Sequence, residues 1–323
     1  MRRFIAILLV ISAVTGSLFA NGGAEAKDEK IVIAGIVFQE DQFFRVIQKG
    51  MKAAAEDLGV ELLMANSQNK LDKEIELVNT YLARGVDGLV ISPLSDTGSV
   101  SALKAADDEG IVIVTYNSPV SADFPVSYIN SSQSELGSST GKAAREYIES
   151  ELGGKAKVAT LAFKSLLPEI SDMRVNGFLN EISDMDITVV AQQDAWLAED
   201  AVARAGDIIT ANPDIDIIYA ANDGGTVGAV GAVRNAGLED QVKVFGIDAS
   251  DQLADMVLAD DGILMASTGQ QPFQIGYQAV EFAVKAIKGE SVESTVIVPG
   301  LLLDRNDPAG VEQFKKDWAE LIK

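Results

Sequence analysis

Cysteine and histidine are both absent from the 323 residues. Their absence removes serine–histidine and cysteine–histidine nucleophilic sites, thiolate zinc sites and disulfides together. Whatever chemistry remains must use carboxylates, hydroxyls, lysine or backbone dipoles, and neither a metal nor a cofactor is expected. Basic residues are scarce as well: Lys plus Arg number 26 against 48 Asp plus Glu, a formal net charge of −22. So negative a surface repels phosphate backbones and anionic membranes, so nucleic acid is not an expected partner. Solubility is the plain use of that charge. No Pro/Gly/Ser-rich linker and no low-complexity segment interrupts the chain.

What is present has the composition of a globular protein, with 47% hydrophobic and 23% charged residues. A chain of this length is too long for one comfortable core and about right for two α/β lobes. Its start reads as an export signal. Arg2 and Arg3 precede an apolar stretch, Phe4 to Val14, too short to span a bilayer. Small residues then offer cleavage after Ala20 or after Ala26. Without cysteine there is no lipid anchor, so the expectation is a soluble, exported, periplasmic protein.

From Ile31 onward, apolar runs of strand length alternate with amphipathic helical stretches. "IVIAGIVF", "VELLMAN", "GLVISP" and "IVIVTYNS" form a first set, and the helices between them end near Gly59, Gly85 and Gly110. "KVATLAF", "ITVVAQQDA", "DIIYAAND" and "VKVFGIDAS" form a second set. Continuous apolar strands separated by helices predict parallel sheets covered on both faces. The fold class is therefore α/β, two doubly wound parallel-sheet lobes joined by a multi-strand hinge. The crossings are expected near "SYINSS", "STGQQP" and "VIVPGLLL". The expected division is a signal peptide over 1–26, an N-terminal lobe over 27–130 plus 271–297, and a C-terminal lobe over 131–270 plus 298–323.

Ligands of open parallel sheets bind outside the carboxyl ends of the strands. The residues standing at those exits are Asp41, Phe43 and Phe44, then Asn117, Trp196, Asn222 with Asp223, and Asp248, with Gln270 at a hinge crossing. Acids, amides and flat rings with few cations suit a neutral polyhydroxylated ligand. Carboxylates and amides bond its hydroxyls, and rings cover its C–H faces. Each residue also has a plainer role. Asp223 and Asp248 are as well placed to cap helices, and one of Phe43 and Phe44 is expected to pack into the core. "GGTVGAVG" lacks the dinucleotide fingerprint, and its Gly225, Gly228 and Gly231 fit close helix-to-sheet packing.

Taken in order, "EDQFF", "NSQN", "ARGVDGLVISP", "YNSP", "DAW", "AANDGGTVGA", "VFGIDAS" and "GQQPFQIG" resemble the type I periplasmic sugar-binding proteins. These are the ribose and glucose/galactose receptors of ABC transporters. The resemblance covers essentially the whole chain after the signal. It implies ligand contacts at Asp41 and Phe43, with Phe44 behind or beside it, and at Asn117, Trp196, Asn222, Asp248 and Gln270. In those receptors an arginine of the second lobe contacts the sugar. "SDMRVNGF" offers Arg174, while the ribose receptor's arginine position holds Asp172, a residue suited to an acyclic polyol. The calcium loop of the glucose/galactose receptor has no counterpart.

The implied function is capture of a monosaccharide or sugar alcohol by hinge closure, without catalysis. The implied partners are a small-molecule sugar or polyol, an ABC permease and a chemoreceptor, with the protein itself a monomer. Two other readings share these residues: a nucleoside or autoinducer-like ligand on the same fold, and a carbohydrate-active enzyme using a carboxylate pair among Asp41, Asp172 and Asp248.

Overall fold

In the computed structural model, residues 30–322 are described. The export-signal reading falls outside them. The apolar run at the start forms β1 (Val32–Val37), followed by α1 (Gln42–Leu58), β2 (Glu61–Asn66), α2 (Leu71–Arg84), β3 (Gly88–Ile91), α3 (Val100–Asp108), β4 (Val112–Tyr116) and β5 (Ser127–Asn130). The second series runs α4 (Gln133–Glu151), β6 (Lys155–Ala162), α5 (Pro168–Glu181), β7 (Asp186–Asp194), α6 (Ala198–Ala211), β8 (Ile217–Ala220), α7 (Asp223–Ala236), β9 (Lys243–Ile247), α8 (Asp251–Leu258) and β10 (Leu264–Gly269). The chain closes with α9 (Pro272–Ile287), β11 (Thr295–Ile297), β12 (Leu301–Asp304) and α10 (Pro308–Leu321).

Two six-stranded sheets result, ordered β11-β5-β4-β3-β1-β2 and β12-β10-β9-β8-β6-β7. Central strands are buried on both faces, which is why β1 carries Ile33, Ala34, Ile36 and Val37 without polar alternation. The chain passes from one sheet to the other three times, at 131–132, 270–271 and 298–300. One strand departs from the expected parallel arrangement: β12 lies antiparallel to β10. It enters straight from β11 through the short third crossing rather than from a helix of its own sheet. It therefore runs against its one neighbour, β10.

Helices α1 and α2 end as the glycine pattern predicts, on Gly59 and Gly85 in the left-handed conformation at φ 68° and 66°. Glycine has a second use where helices cross. A Cβ on Gly137 of α4 would lie 2.1 Å from the Arg174 carbonyl of α5, and one on Gly177 of α5 would lie 2.2 Å from the Ser134 carbonyl of α4. The same reciprocal contact joins α1 and α9 through Gly50 and Gly276. In the "GGTVGAVG" segment, Gly228 and Gly231 make room for α6, with a Cβ at Gly228 only 2.4 Å from the Ala201 Cβ. Those two glycines therefore serve helix-to-helix packing, and Gly225 alone meets the sheet end at Ala220.

The α4–α5 crossing tests this account of close approach. Gly177→Ala is expected to cost about 1–3 kcal/mol, because the obstacle is backbone and cannot rotate aside. Denaturant midpoints read the loss; an unchanged midpoint would mean the two helices separate freely.

Candidate functional site

The three crossings set the carboxyl ends of the two sheets toward one cleft. A cavity of about 590 Å³ there is lined from the first sheet by Asn117, Ser118, Pro119, Tyr128 and Asn130. Phe163, Arg174, Trp196 and Asn222 line it from the second, with Gln270 at the middle crossing. Gln270 also lines an adjoining compartment of about 350 Å³ with Asp41, Phe43, Asp223, Asp248 and Ser250. The expected residues Asn117, Arg174, Trp196 and Asn222 thus line one cavity, Asp41, Phe43 and Asp248 line the other, and Gln270 lines both.

Two expected residues stand elsewhere. Phe44 is 2% exposed and packs in the first core, its ring 4.5 Å from that of Phe38 and 5.4 Å, edge-on, from that of Phe43. It stands behind Phe43 rather than at the cleft surface, because the step of about 100° from one residue of α1 to the next turns it toward β1. Asp172 lies outside both linings and is paired with Lys164 at 2.9 Å. Two residues further along α5, Arg174 faces the cavity instead.

Local structure explains how each side chain is held. Asp41 caps α1, its carboxylate accepting from Phe44 N at 2.9 Å. Asn117 follows β4 with φ 59°, a left-handed conformation that asparagine tolerates better than most residues. Its amide donates to Ser92 Oγ at 3.2 Å, and its carbonyl accepts from the Tyr128 hydroxyl at 3.1 Å. Burial pushes the Tyr128 phenol up to about 12, so it stays a neutral donor. Asn222 caps α7 and donates to the Trp196 carbonyl at 2.9 Å, which ties the indole's backbone to the end of β8. Gly224 permits that approach, since a Cβ there would sit 2.3 Å from the same carbonyl.

Neither Asp223 nor Asp248 is a helix cap; Asn222 and Ser250 fill those positions. Asp248 instead accepts from Asp223 N at 2.9 Å and lies 3.7 Å from the Arg174 guanidinium. Arg174, 7% exposed, donates to Gln133 Oε1 at 2.8 Å and to the Ala221 carbonyl at 2.9 Å, and lies over the Phe163 ring. A cation so buried needs this many partners. The hydrogen bonds of Asn117 stay on the first sheet's side, and those of Asn222 and Arg174 on the second's.

Tyr128, Asn130, Gln133 and Phe163 line the cavity without having been singled out in the sequence. The first three flank the first crossing, where "SYINSS" reads only as a connection. Tyr128 and Asn130 share the half-buried face of β5, opposite buried Ser127 and Ile129, and the four-residue run carries no apolar–polar alternation by which they could have been found.

This arrangement, two parallel-sheet lobes with a polar cleft at their hinge, is that of a solute-capturing receptor. The chain belongs to the periplasmic binding protein family, whose domain description matches residues 31–291. It is a transport solute-binding protein, not an enzyme. Among its relatives, the ribose import binding protein RbsB of Escherichia coli is 32% identical over 289 residues, covering 88% of this chain and 93% of that one. The E. coli ABC transporter periplasmic-binding protein YphF is 26% identical over 299 residues, with 90% and 89% covered. A periplasmic solute-binding protein from Actinobacillus succinogenes, solved with bound D-allose, is 26% identical with a TM-score of 0.72, covering 87% and 99%. One from Bacillus halodurans with bound myo-inositol is 25% identical with a TM-score of 0.69, covering 89% and 98%. Among the described residues no helix is long and apolar enough to cross a membrane.

The site's electrostatics give a prediction at Asp223. Burial pushes its carboxyl above the ordinary value, the Ser250 hydroxyl opposes this, and the Asp248 charge adds to it. Because the folded-state value is raised, the ionised carboxylate destabilises the fold, and that penalty grows as pH rises through the ordinary aspartate range. Asp223→Asn is therefore expected to gain stability relative to the parent chain at pH 7 and to lose that advantage near about pH 4. Chemical denaturation at the two pH values checks the sign.

Proposed function

We propose that the chain captures a neutral monosaccharide or sugar alcohol in this cleft and delivers it to the permease of an ABC transporter. One observation carries the reading: the cavity combines five carboxamides with flat rings around a single buried guanidinium. Asn117, Asn130, Gln133, Asn222 and Gln270 can each donate to and accept from hydroxyls. Phe43, Tyr128, Phe163 and Trp196 offer faces for C–H groups. Arg174 is answered by the Asp248 carboxylate, so the site lacks the surplus positive charge that a phosphate would call for. Relatives named for ribose import, and structures holding D-allose and myo-inositol, support the same ligand class.

Asp41, Phe43, Asn117, Arg174, Trp196, Asn222, Asp248 and Gln270 are the contact residues of this reading, with Phe44 supporting Phe43. Asp172 serves the loop that holds Lys164. Binding begins on one lobe, and the other swings over about the three crossings. The ligand's contacts with both sides supply the differential affinity that holds the closed form. Selectivity follows because a missing hydroxyl leaves a buried amide or carboxylate unpaired. The lobes are residues 27–130 with 271–297 and residues 131–270 with 298–323. The protein works as an exported monomer without a lipid anchor, its closed form docking on the permease and on a chemoreceptor.

Calorimetric titration of residues 27–323 with D-ribose, D-allose, D-glucose, D-galactose, myo-inositol and adenosine tests this. One sugar or polyol is expected to bind without being consumed. Trp196→Ala and Asp248→Ala are each expected to weaken it by about tenfold or more while the free protein keeps its fold, since Trp196 loses a buried ring face and Asp248 a hydrogen bond to a charged group worth about 1.5–3 kcal/mol. Unchanged binding in both variants would remove the site assignment, and adenosine as the one ligand would move the function to nucleoside uptake.

A further inference from the structure

The loop between β6 and α5 carries an apolar surface that hydroxyl recognition does not use. Leu166, Leu167 and Met173 are 55%, 48% and 42% exposed, among the most exposed large hydrophobic side chains described. With Ile170 they line the same cavity as Asn117, Arg174 and Asn222, and Glu169 is the one acidic residue that this segment adds to the lining. Isolated exposed leucines need no explanation, but four aliphatic side chains on one wall of a binding cavity do.

The wall is held in shape rather than loose. Leu166 N and Leu167 N both donate to the Phe163 carbonyl at 3.0 Å. Phe163 N donates to Ser171 Oγ at 3.1 Å, and the Asp194 carboxylate accepts from Lys164 N at 3.0 Å and Ser165 N at 2.6 Å. Pro168 starts α5 directly after the two leucines. The Lys164–Asp172 pair ties the loop to the helix. The aliphatic side chains are thus presented at fixed positions beside the amides.

An aliphatic wall differs from an aromatic one in what it selects. Rings attract the polarised C–H groups of a hydroxylated sugar face, and Phe163 and Trp196 already supply them. Leucine, isoleucine and methionine have no such face and no partner for a hydroxyl. A hydroxyl pressed against them loses water and gains nothing, whereas an alkyl group is favoured there.

We infer that the ligand is a saccharide bearing an apolar substituent, which seats against Leu166, Leu167, Ile170 and Met173 while its hydroxyls engage Asn117, Arg174 and Asn222. This deepens the sugar reading above and rests on it. The same chemistry has two sources, the methyl group of a 6-deoxysugar and the aglycone of a small glycoside.

Matched pairs separate them. Residues 27–323 are titrated with L-fucose against L-galactose, L-rhamnose against L-mannose, and methyl β-D-galactopyranoside against D-galactose. The apolar member of at least one pair is expected to bind about tenfold or more tightly, the scale of one added methyl or methylene in an apolar pocket. A preference in the first two pairs identifies a deoxysugar, and one in the third a glycoside. In Leu167→Gln/Met173→Gln the preference is expected to disappear. Equal or tighter binding of the hydroxylated member in every responding pair overturns the inference and leaves the sugar reading intact. So does a variant that weakens both members equally, which would make the wall a contact between the closing lobes. Binding of no saccharide overturns the sugar reading, and the inference with it.

Discussion

The strands of each sheet other than β12 run in one direction, so the loops that follow them gather on one side. Three chain crossings fasten those two sides to each other. Everything at the site depends on this constraint. A parallel sheet must place its helices on its faces, and the carboxyl ends of its strands, where the following loops gather, are where ligands bind. Two such edges joined at a hinge enclose a cavity without any dedicated binding domain. A single crossing would act as a tether. Three crossings fasten the lobes at three points, and the middle one carries Gln270 into both compartments.

Within that frame, Arg174 links more elements than any other site residue. Its side chain joins α5 to Gln133 at the start of α4 and to the Ala221 carbonyl at the end of β8, with Asp248 after β9 close by. Its own carbonyl accepts from Tyr219 of β8 and crowds Gly137 of α4. Removing the guanidinium would strand the Ala221 carbonyl in the interior, and a buried unpaired polar group costs about 1–3 kcal/mol. The glycine crossing and the arginine network therefore support each other. Close helices put Arg174 within reach of Gln133, and the bond between them fixes α5, on which the apolar wall also depends.

Much of this was legible in the chain. The alternation of strands and helices, the C-terminal glycines and the polar residues at strand exits follow from local periodicity, so Asp41, Asn117, Trp196 and Asn222 could be found by position alone. What was hidden depends on contacts remote in sequence. Nothing local shows that β12 enters from the opposite lobe and so runs antiparallel. Helical phase decides that Phe44 faces the core and Phe43 the cleft, and a one-residue difference is below what periodicity resolves. Asp172 and Arg174 are two positions apart on α5, hence on different faces, and only the packing of α5 on α4 selects between them. The segment holding Leu166, Leu167, Ile170 and Met173 carries no sequence signal of a cleft wall. That it lines a cavity follows only once the residues of the first sheet stand opposite it.

Asp248 shows how the site's geometry is maintained against local preference. Its backbone stands at φ 83°, a region that non-glycine residues occupy at a cost of about 1–3 kcal/mol. Glycine would relieve that strain and forfeit the carboxylate that accepts from Asp223 N and faces Arg174. The conformation persists because β10 clamps it from both sides. Asp248 N donates to the Thr268 carbonyl at 2.9 Å, and Ser267 Oγ donates to the Asp248 carbonyl at 2.6 Å. The clamping strand is the one that runs directly into the middle crossing at Gln270. The position of the carboxylate is therefore coupled to the strand that leads the chain into the middle crossing, so displacement of β10 moves the acid that faces Arg174.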